Sequence, residues 1–273
     1  MKKSMFGLVA TVFAVFMVTA CQKENNLTEN NEQVTITSED VSDSEAIMQS
    51  SEDQMDMDVE APPPGGTCPS ISFAAPRGTY PQTITLNFGT TGCADRHGRT
   101  RKGKVIISLS DSLTNLNATK SVSYENYFVD STKIEGTRAW KNTGRNAAGQ
   151  PTFTRTATNM KLTFGNGEIA TWSASHTVTR TQGYNTPRVF LDDVWSVTGS
   201  ASGVNRKGKS FSSVIETPVV HTAICPWIVS GKRTVTVENK TRSLDYGYGG
   251  GDCDREAELF LANGETRIIR LRR

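Results

Sequence analysis

Residues 156–178 read Thr156-Ala157-Thr158-Asn159-Met160-Lys161-Leu162-Thr163-Phe164-Gly165-Asn166-Gly167-Glu168-Ile169-Ala170-Thr171-Trp172-Ser173-Ala174-Ser175-His176-Thr177-Val178. Before Asn166-Gly167, the residues Thr156, Thr158, Met160, Leu162 and Phe164 fall on one face of an extended chain. After it, Trp172, Ala174, His176 and Val178 do the same. Alternation with period two marks a half-buried strand, and Asn-Gly supplies the two positive-φ positions of a tight hairpin turn. The stretch predicts a β-hairpin, and the chain on either side repeats its pattern.

Upstream, Ile84, Leu86 and Phe88 alternate with Thr83, Thr85 and Asn87. Val105, Ile107 and Leu109 start a second strand, Val122 to Val129 a third, and Ile134 to Thr143, with Trp140, a fourth. Downstream, Phe190 to Val197, Phe211 to Ile215, Ile228 to Val229 and Thr234 to Val237 add more. At the C-terminus Ala257, Leu259 and Leu261 face Ile269 and Leu271 across Asn263-Gly264. Two segments share a plan of strand, Asn-x-x-Gly turn and strand starting with Phe: Asn146 to Gly149 before Phe153, and Asn205 to Gly208 before Phe211. No amphipathic helix is predicted over residues 67–273. Successive hairpins predict an all-β antiparallel meander, built as a sandwich or as an elongated twisted sheet.

The first 66 residues differ. Lys2 and Lys3 precede an apolar run from Phe6 to Val18, as long as a signal-peptide core and too short to span a bilayer. Residues 1–20 are therefore read as a cleaved signal, 21–66 as a disordered tether and 67–273 as the β head. The tether is rich in Asn, Ser, Asp and Glu, and it ends at Pro62-Pro63-Pro64-Gly65-Gly66. Its residues 22–66 hold 12 acidic residues and one Lys, whereas the head has 27 Lys and Arg against 16 Asp and Glu. An acidic tail thus carries a basic head. The tail either stays extended and solvated or screens a basic site on the head.

Val18-Thr19-Ala20-Cys21 resembles the bacterial lipobox, with Val in place of the usual leading Leu. The resemblance implies cleavage before Cys21, lipidation of that cysteine and stable membrane anchoring through several acyl chains, palmitate among them. Gln22 rather than Asp after the cysteine favours the outer membrane, with the head on its periplasmic face or at the cell surface. Four head segments resemble a family of uncharacterised Bacteroidota lipoproteins: Phe88 to Cys93, Gly98 to Gly103, Thr198 to Gly203, and Asp245-Tyr246-Gly247 through Asp252-Cys253-Asp254. The likeness covers most of residues 67–273 and implies architecture and location, with no activity attached.

Four cysteines remain in an exported domain, so two disulfides are expected. Cys68–Cys93 with Cys225–Cys253 closes two short loops, worth about 3 kcal/mol each. Similar surroundings of Cys93 and Cys253 suggest the alternative pairing Cys93–Cys253. There is no His-Glu-x-x-His, Gly-x-Ser-x-Gly or Walker motif, and no cofactor is implied. The histidines His97, His176 and His221 are far apart in sequence; a triad would have to be assembled by the fold. Asp245, Asp252 and Asp254, around a Gly-rich loop, are the one candidate Ca²⁺ ligand set, without the spacing of an EF-hand. Arg96, Arg99, Arg101, Lys102 and Lys104 lie in one loop and Arg206, Lys207 and Lys209 in another. If the loops share an end of the sheet, they form a cation patch for a glycan or polyanion; outside the cell, nucleic acid is not the expected partner. Asp111-Ser112-Leu113 and Asp130-Ser131-Thr132 resemble Bacteroidota O-glycosylation sites. The expectation is a non-catalytic binding or structural lipoprotein, with a polyanion-binding module and a hydrolase as rivals.

Overall fold

A computed structural model describes residues 31–42, 44–45, 68–95, 98–186, 189 and 191–271. The signal, Cys21, the Pro-Gly hinge, Arg96 and His97 lie outside the described residues.

The head is one 14-stranded antiparallel sheet. Its strands are β1 (Ser70–Phe73), β2 (Gln82–Asn87), β3 (Cys93–Ala94), β4 (Thr100–Leu109), β5 (Thr119–Val129), β6 (Thr132–Arg145) and β7 (Pro151–Thr163). Then come β8 (Ile169–Gln182), β9 (Val194–Val204), β10 (Ser210–Thr222), β11 (Ile228–Val237), β12 (Lys240–Asp245), β13 (Glu256–Phe260) and β14 (Thr266–Arg270). Each strand pairs with its sequence neighbour, except that β2 pairs with β4 and the short β3 lies against the start of β4. This is the expected meander. It is a single sheet, not a sandwich.

The sheet curls, and its inner face makes one core that runs from Ile71 and Phe73 of β1 to Ile269 of β14. A row of bulges helps it bend. Gly103 of β4 has φ +83° and lies against Asn126 of β5, whose φ is +45°. Gly136 of β6 has φ +117° and lies against Asn159 of β7, at φ +48°. A Cβ at Gly103 would stand 2.0 Å from the Asn126 carbonyl oxygen, so only glycine fits there. Bulges next to one another in adjacent strands add twist at one line across the sheet.

One bulge corrects the opening hairpin. Pairing of β7 with β8 shifts between Ala157 and Met160. Met160, Leu162 and Phe164 point inward as expected, but before the bulge the inward residues are Phe153 and Arg155, and Thr158 is exposed. The turn also differs: Gly167 alone takes positive φ, and Phe164 N–H donates to Glu168 O at 2.9 Å. This is a three-residue connection ending in a left-handed glycine. The same closure recurs at 146–150, 205–209 and 261–265, so the Asn-x-x-Gly repeat is a repeated turn.

The outward face is hydroxylated. Thr154, Thr177 and Thr198 are in register across β7, β8 and β9; Ser173, Ser202 and Ser212 are in register across β8, β9 and β10. A transmembrane barrel turns apolar residues outward; this sheet turns mostly Ser and Thr to water and most of its apolar side chains inward, with Ile169, Val204, Val214, Phe260 and Ile268 exposed. Among the described residues no helix is long and apolar enough to cross a membrane.

The tether is the main surprise. Residues 31–42 form a helix, α1, and residues 44–45 are again helical. Val34 and Val41 join the head's core, and Thr37, Ser38 and Ser42 are fully buried. Sequence reading gave this stretch no order because it lacks large apolar residues. Its hydroxyls solve the burial problem locally: Thr35 donates to Asn31 O, Thr37 to Gln33 O and Ser44 to Asp40 O.

Candidate functional site

The cysteines pair as Cys68–Cys93 and Cys225–Cys253, with Cα separations of 5.9 and 5.6 Å. The two bonds pin opposite ends of the curled sheet. The closed end carries the turns 164–168, 205–209 and 261–265. The other end is an open mouth, bordered by the connections after β1, β4, β6, β8, β10 and β12.

α1 starts at the closed end and runs inward. Asn205 Nδ2, in the β9–β10 turn, donates to Thr37 Oγ1 at 2.9 Å and lies 3.4 Å from Gln33 Oε1. Arg206 donates its backbone N–H to Asp40 at 3.0 Å and its guanidinium to Glu39 at 2.6 Å. Further in, Ser42 Oγ and Tyr246 Oη are 2.6 Å apart. Glu45 then meets Arg233 of β11 and lies 3.4 Å from His176 Nε2. The acidic tail therefore does screen basic groups of the head, by entering its interior.

Around Glu45 stand Arg138, Arg155, Arg233, His176 and His221, all buried inward-facing strand residues. Arg155 Nη2 donates to His176 Nδ1 at 3.2 Å. Because a guanidinium only donates, Nδ1 must accept, and the imidazole proton sits on Nε2, facing Glu45. Burial opposes the Glu45 charge, but Arg233 beside it, then His176 and Arg155, hold its carboxyl down to about 2. Burial, reinforced by Arg155 and opposed by Glu45, pushes His176 down to about 3. His221, also buried, is likewise held at about 3. Both rings are neutral at pH 7. The void beside Glu45 and His176 has a volume of only about 20 Å³, room for a water and no more.

Above this charged layer lies an aromatic one. Trp140, Phe153 and Trp195 pack edge to face with centroids 5.8 to 6.1 Å apart. Arg155 and Lys120 place their charges 5.5 and 5.2 Å from the Trp140 ring centre. On the mouth side of these rings is a cavity of about 1330 Å³. Its floor is Ile84, Ile107, Phe153 and Trp195, and its walls include Phe73, Leu109, Leu113 and Tyr184. Arg77, Lys120, Arg145 and Arg180 also line it, against the single carboxylate of Asp193, which binds Arg180. The composition of this cavity could not be read from sequence, because its lining comes from eight strands and from the loops between them.

No protein-family model, curated protein or solved structure matches the chain. The site is therefore read from its own geometry.

The basic loops do share the closed end, as the patch expectation required, since the pairings Arg101–Val129, Lys133–Thr163, Thr171–Val204 and Phe211–Val237 lie along one edge. Among the described residues, most of these cations are engaged rather than presented. Arg101 is 1 % exposed, bonded to Asp95 Oδ2 at 2.6 Å and to Tyr127 Oη at 2.6 Å. Arg99 is buried, Lys102 lies over the Phe128 ring, and Lys104 bonds Glu125. Arg206 is held by α1, Lys207 by Glu168 and Lys209 by Glu238. Asp245, Asp252 and Asp254 do not converge as cation ligands. Asp245 accepts from Gly247 N–H and binds Lys232, Asp254 accepts from Glu256 N–H, and Asp252 is exposed. Among the described residues no cluster of three His, Cys, Asp or Glu residues is placed to hold a metal. At the two sequences resembling glycosylation sites, the aspartates serve turns: Asp111 accepts from Ser112 N–H and Asp130 from Thr100 N–H.

Proposed function

We propose that this chain is an outer-membrane-anchored lipoprotein whose β head is a non-catalytic binding domain, with the mouth cavity as its site. The contrast between the two interior spaces carries this reading. The cavity of about 1330 Å³ opens at the mouth and is built mainly of apolar and aromatic walls, the usual make-up of a ligand pocket in the end of a curled sheet. The space next to the buried histidines holds about 20 Å³. Those histidines, held at about 3, are also far from the near-neutral value that general acid–base catalysis favours. A hydrolase reading therefore loses its best residues. The polyanion reading is the weaker binding reading, since the closed-end cations are largely matched by carboxylates.

Anchoring rests on Val18-Thr19-Ala20-Cys21 after the apolar run, and two disulfides fit an oxidising compartment. The test is metabolic labelling with palmitate in wild type and Cys21→Ser, followed by fractionation. Wild type should carry label and sediment with the outer membrane; Cys21→Ser should be unlabelled and released. A wild-type chain without label would end the anchoring reading. Protease shaving of intact cells then separates a surface head, which is digested, from a periplasmic one, which is protected.

A further inference from the structure

We infer that the mouth cavity takes an anionic amphiphile: one apolar chain or ring body with a single carboxylate, sulfate or phosphate head. The inference rests on the binding reading above and adds the chemical class of the ligand.

Three observations converge on it. The floor of Ile84, Ile107, Phe153 and Trp195 offers no charge to a ligand's buried end. Around the floor, four basic side chains face one carboxylate, and each of the four lies over an aromatic ring. Arg77 is 4.6 Å from the centre of Phe73, Lys120 5.2 Å from Trp140, Arg145 5.9 Å from Tyr184 and Arg180 5.6 Å from Trp195. Arg180 already donates to Asp193 and Gly183 O, and Arg145 to Gly149 O, so what an anion would meet here is the excess of positive charge around the floor rather than unused donors. The site thus mixes apolar walls with cations, the complement of an amphiphile with a negative head.

The third observation is an asymmetry of the two ends. Among the described residues, the connections at the mouth carry Tyr80, Leu116, Val189, Leu191, Ile224 and Tyr248 as exposed large apolar side chains. The turns 130–131, 165–168, 205–209, 238–239 and 262–265 at the closed end carry none, and the exposed Ile169, Val204 and Phe260 beside them lie on strand ends rather than in the connections. Leu116, 64 % exposed, stands at the lip and lines the cavity itself. Apolar side chains gathered at one rim mark a place where apolar ligands arrive. The cavity volume exceeds the common ligand-pocket range of about 300–1,000 Å³, which suits a long chain better than a compact metabolite.

The test holds the tail constant and changes the head. Decyl sulfate, decyl glucoside and decyltrimethylammonium, each below its micelle concentration, are titrated into the full chain. Tryptophan fluorescence, for which Trp195 is the reporter, and calorimetry follow binding. Decyl sulfate should bind saturably and raise Tm, as a ligand of the folded state must. The cationic chain should bind about tenfold or more weakly, a gap of about 1.4 kcal/mol. Arg145→Glu, at an exposed position, should weaken decyl sulfate about fivefold and leave the glucoside unchanged. Leu116→Asp should weaken both. Equal affinity for all three heads overturns the anionic class while leaving the binding domain standing. No saturable binding of any chain, or a fall in Tm with each, overturns the binding reading as well.

Discussion

Glu45 ties the tail to the head, and its surroundings make stability depend on pH. His176 and His221 have pKa values of about 3 in the folded chain, well below the 6.5 of an unperturbed histidine. Between these values the unfolded chain binds more protons than the folded one, so stability must fall as pH falls through this window. Glu45, held at about 2 against an ordinary 4.5, adds to the same slope below pH 4.5. Tm measured from pH 8 to pH 4 should therefore be level above about pH 6.5 and decline below it. His176→Gln, which keeps polar atoms but removes one titration, should make the decline shallower, with His221 and Glu45 supplying the remainder. A Tm that held steady from pH 7 to pH 5 in the wild type would contradict the buried neutral imidazoles. Sequence alone placed His176 on the inward face beside Trp172. It did not supply Glu45 as a partner, because the two meet only when a segment outside the head enters it.

At the level of elements, the strands were legible and the helix was not. Period-two alternation located β2, β4, β8 and β13 because each buries one face against a single core, so the pattern survives any topology. It failed at β7, where Asn159 inserts a residue and reverses the parity; a positive-φ Asn leaves no mark on hydropathy. It also began β9 at Phe190, before the observed start at Val194, and passed over the short β1 and β12. α1 was invisible for a different reason. Its burial is stabilised by hydroxyls bonded to their own helix and by carboxylates matched to buried arginines, and neither can be seen within residues 31–45 taken alone. The charge split between tail and head was the one clue, and it pointed to screening without locating it. Deleting residues 22–45 should be costly. It exposes the surface that Val34 and Val41 cover and leaves Arg233, 1 % exposed, without Glu45. Together these are worth about 6 kcal/mol, or about 12–24 °C in Tm for a head of this size. A peptide of residues 31–45 added in trans should recover part of that loss. An unchanged Tm in the deletion would mean that α1 does not dock.

On the scale of the whole molecule, a long meander has two free edges, and both are guarded. β1 has four residues with Pro69 just before it and Pro76 after it, and β14 carries Arg267 and Arg270. Short, proline-flanked or charged edges resist pairing with other sheets. The outer face is largely hydroxylated, and among the described connections the exposed large apolar side chains lie at the mouth. The entry point of α1 gives this asymmetry a direction. α1 begins at the closed end, and from Cys21 to residue 31 the chain can span at most about 35 Å. The 14-residue strands β6 and β8 measure about 46 Å along their axis. If Cys21 carries lipid as proposed, the head would be attached from its closed end, like a cup on a stem, with its rim turned from the leaflet that holds it. Trp195 should then escape quenching by brominated lipids in vesicles carrying the lipidated chain, and strong quenching would mean that the cup lies on its side or upside down. An upright cup would draw its contents from across the gap it faces, not from its own membrane.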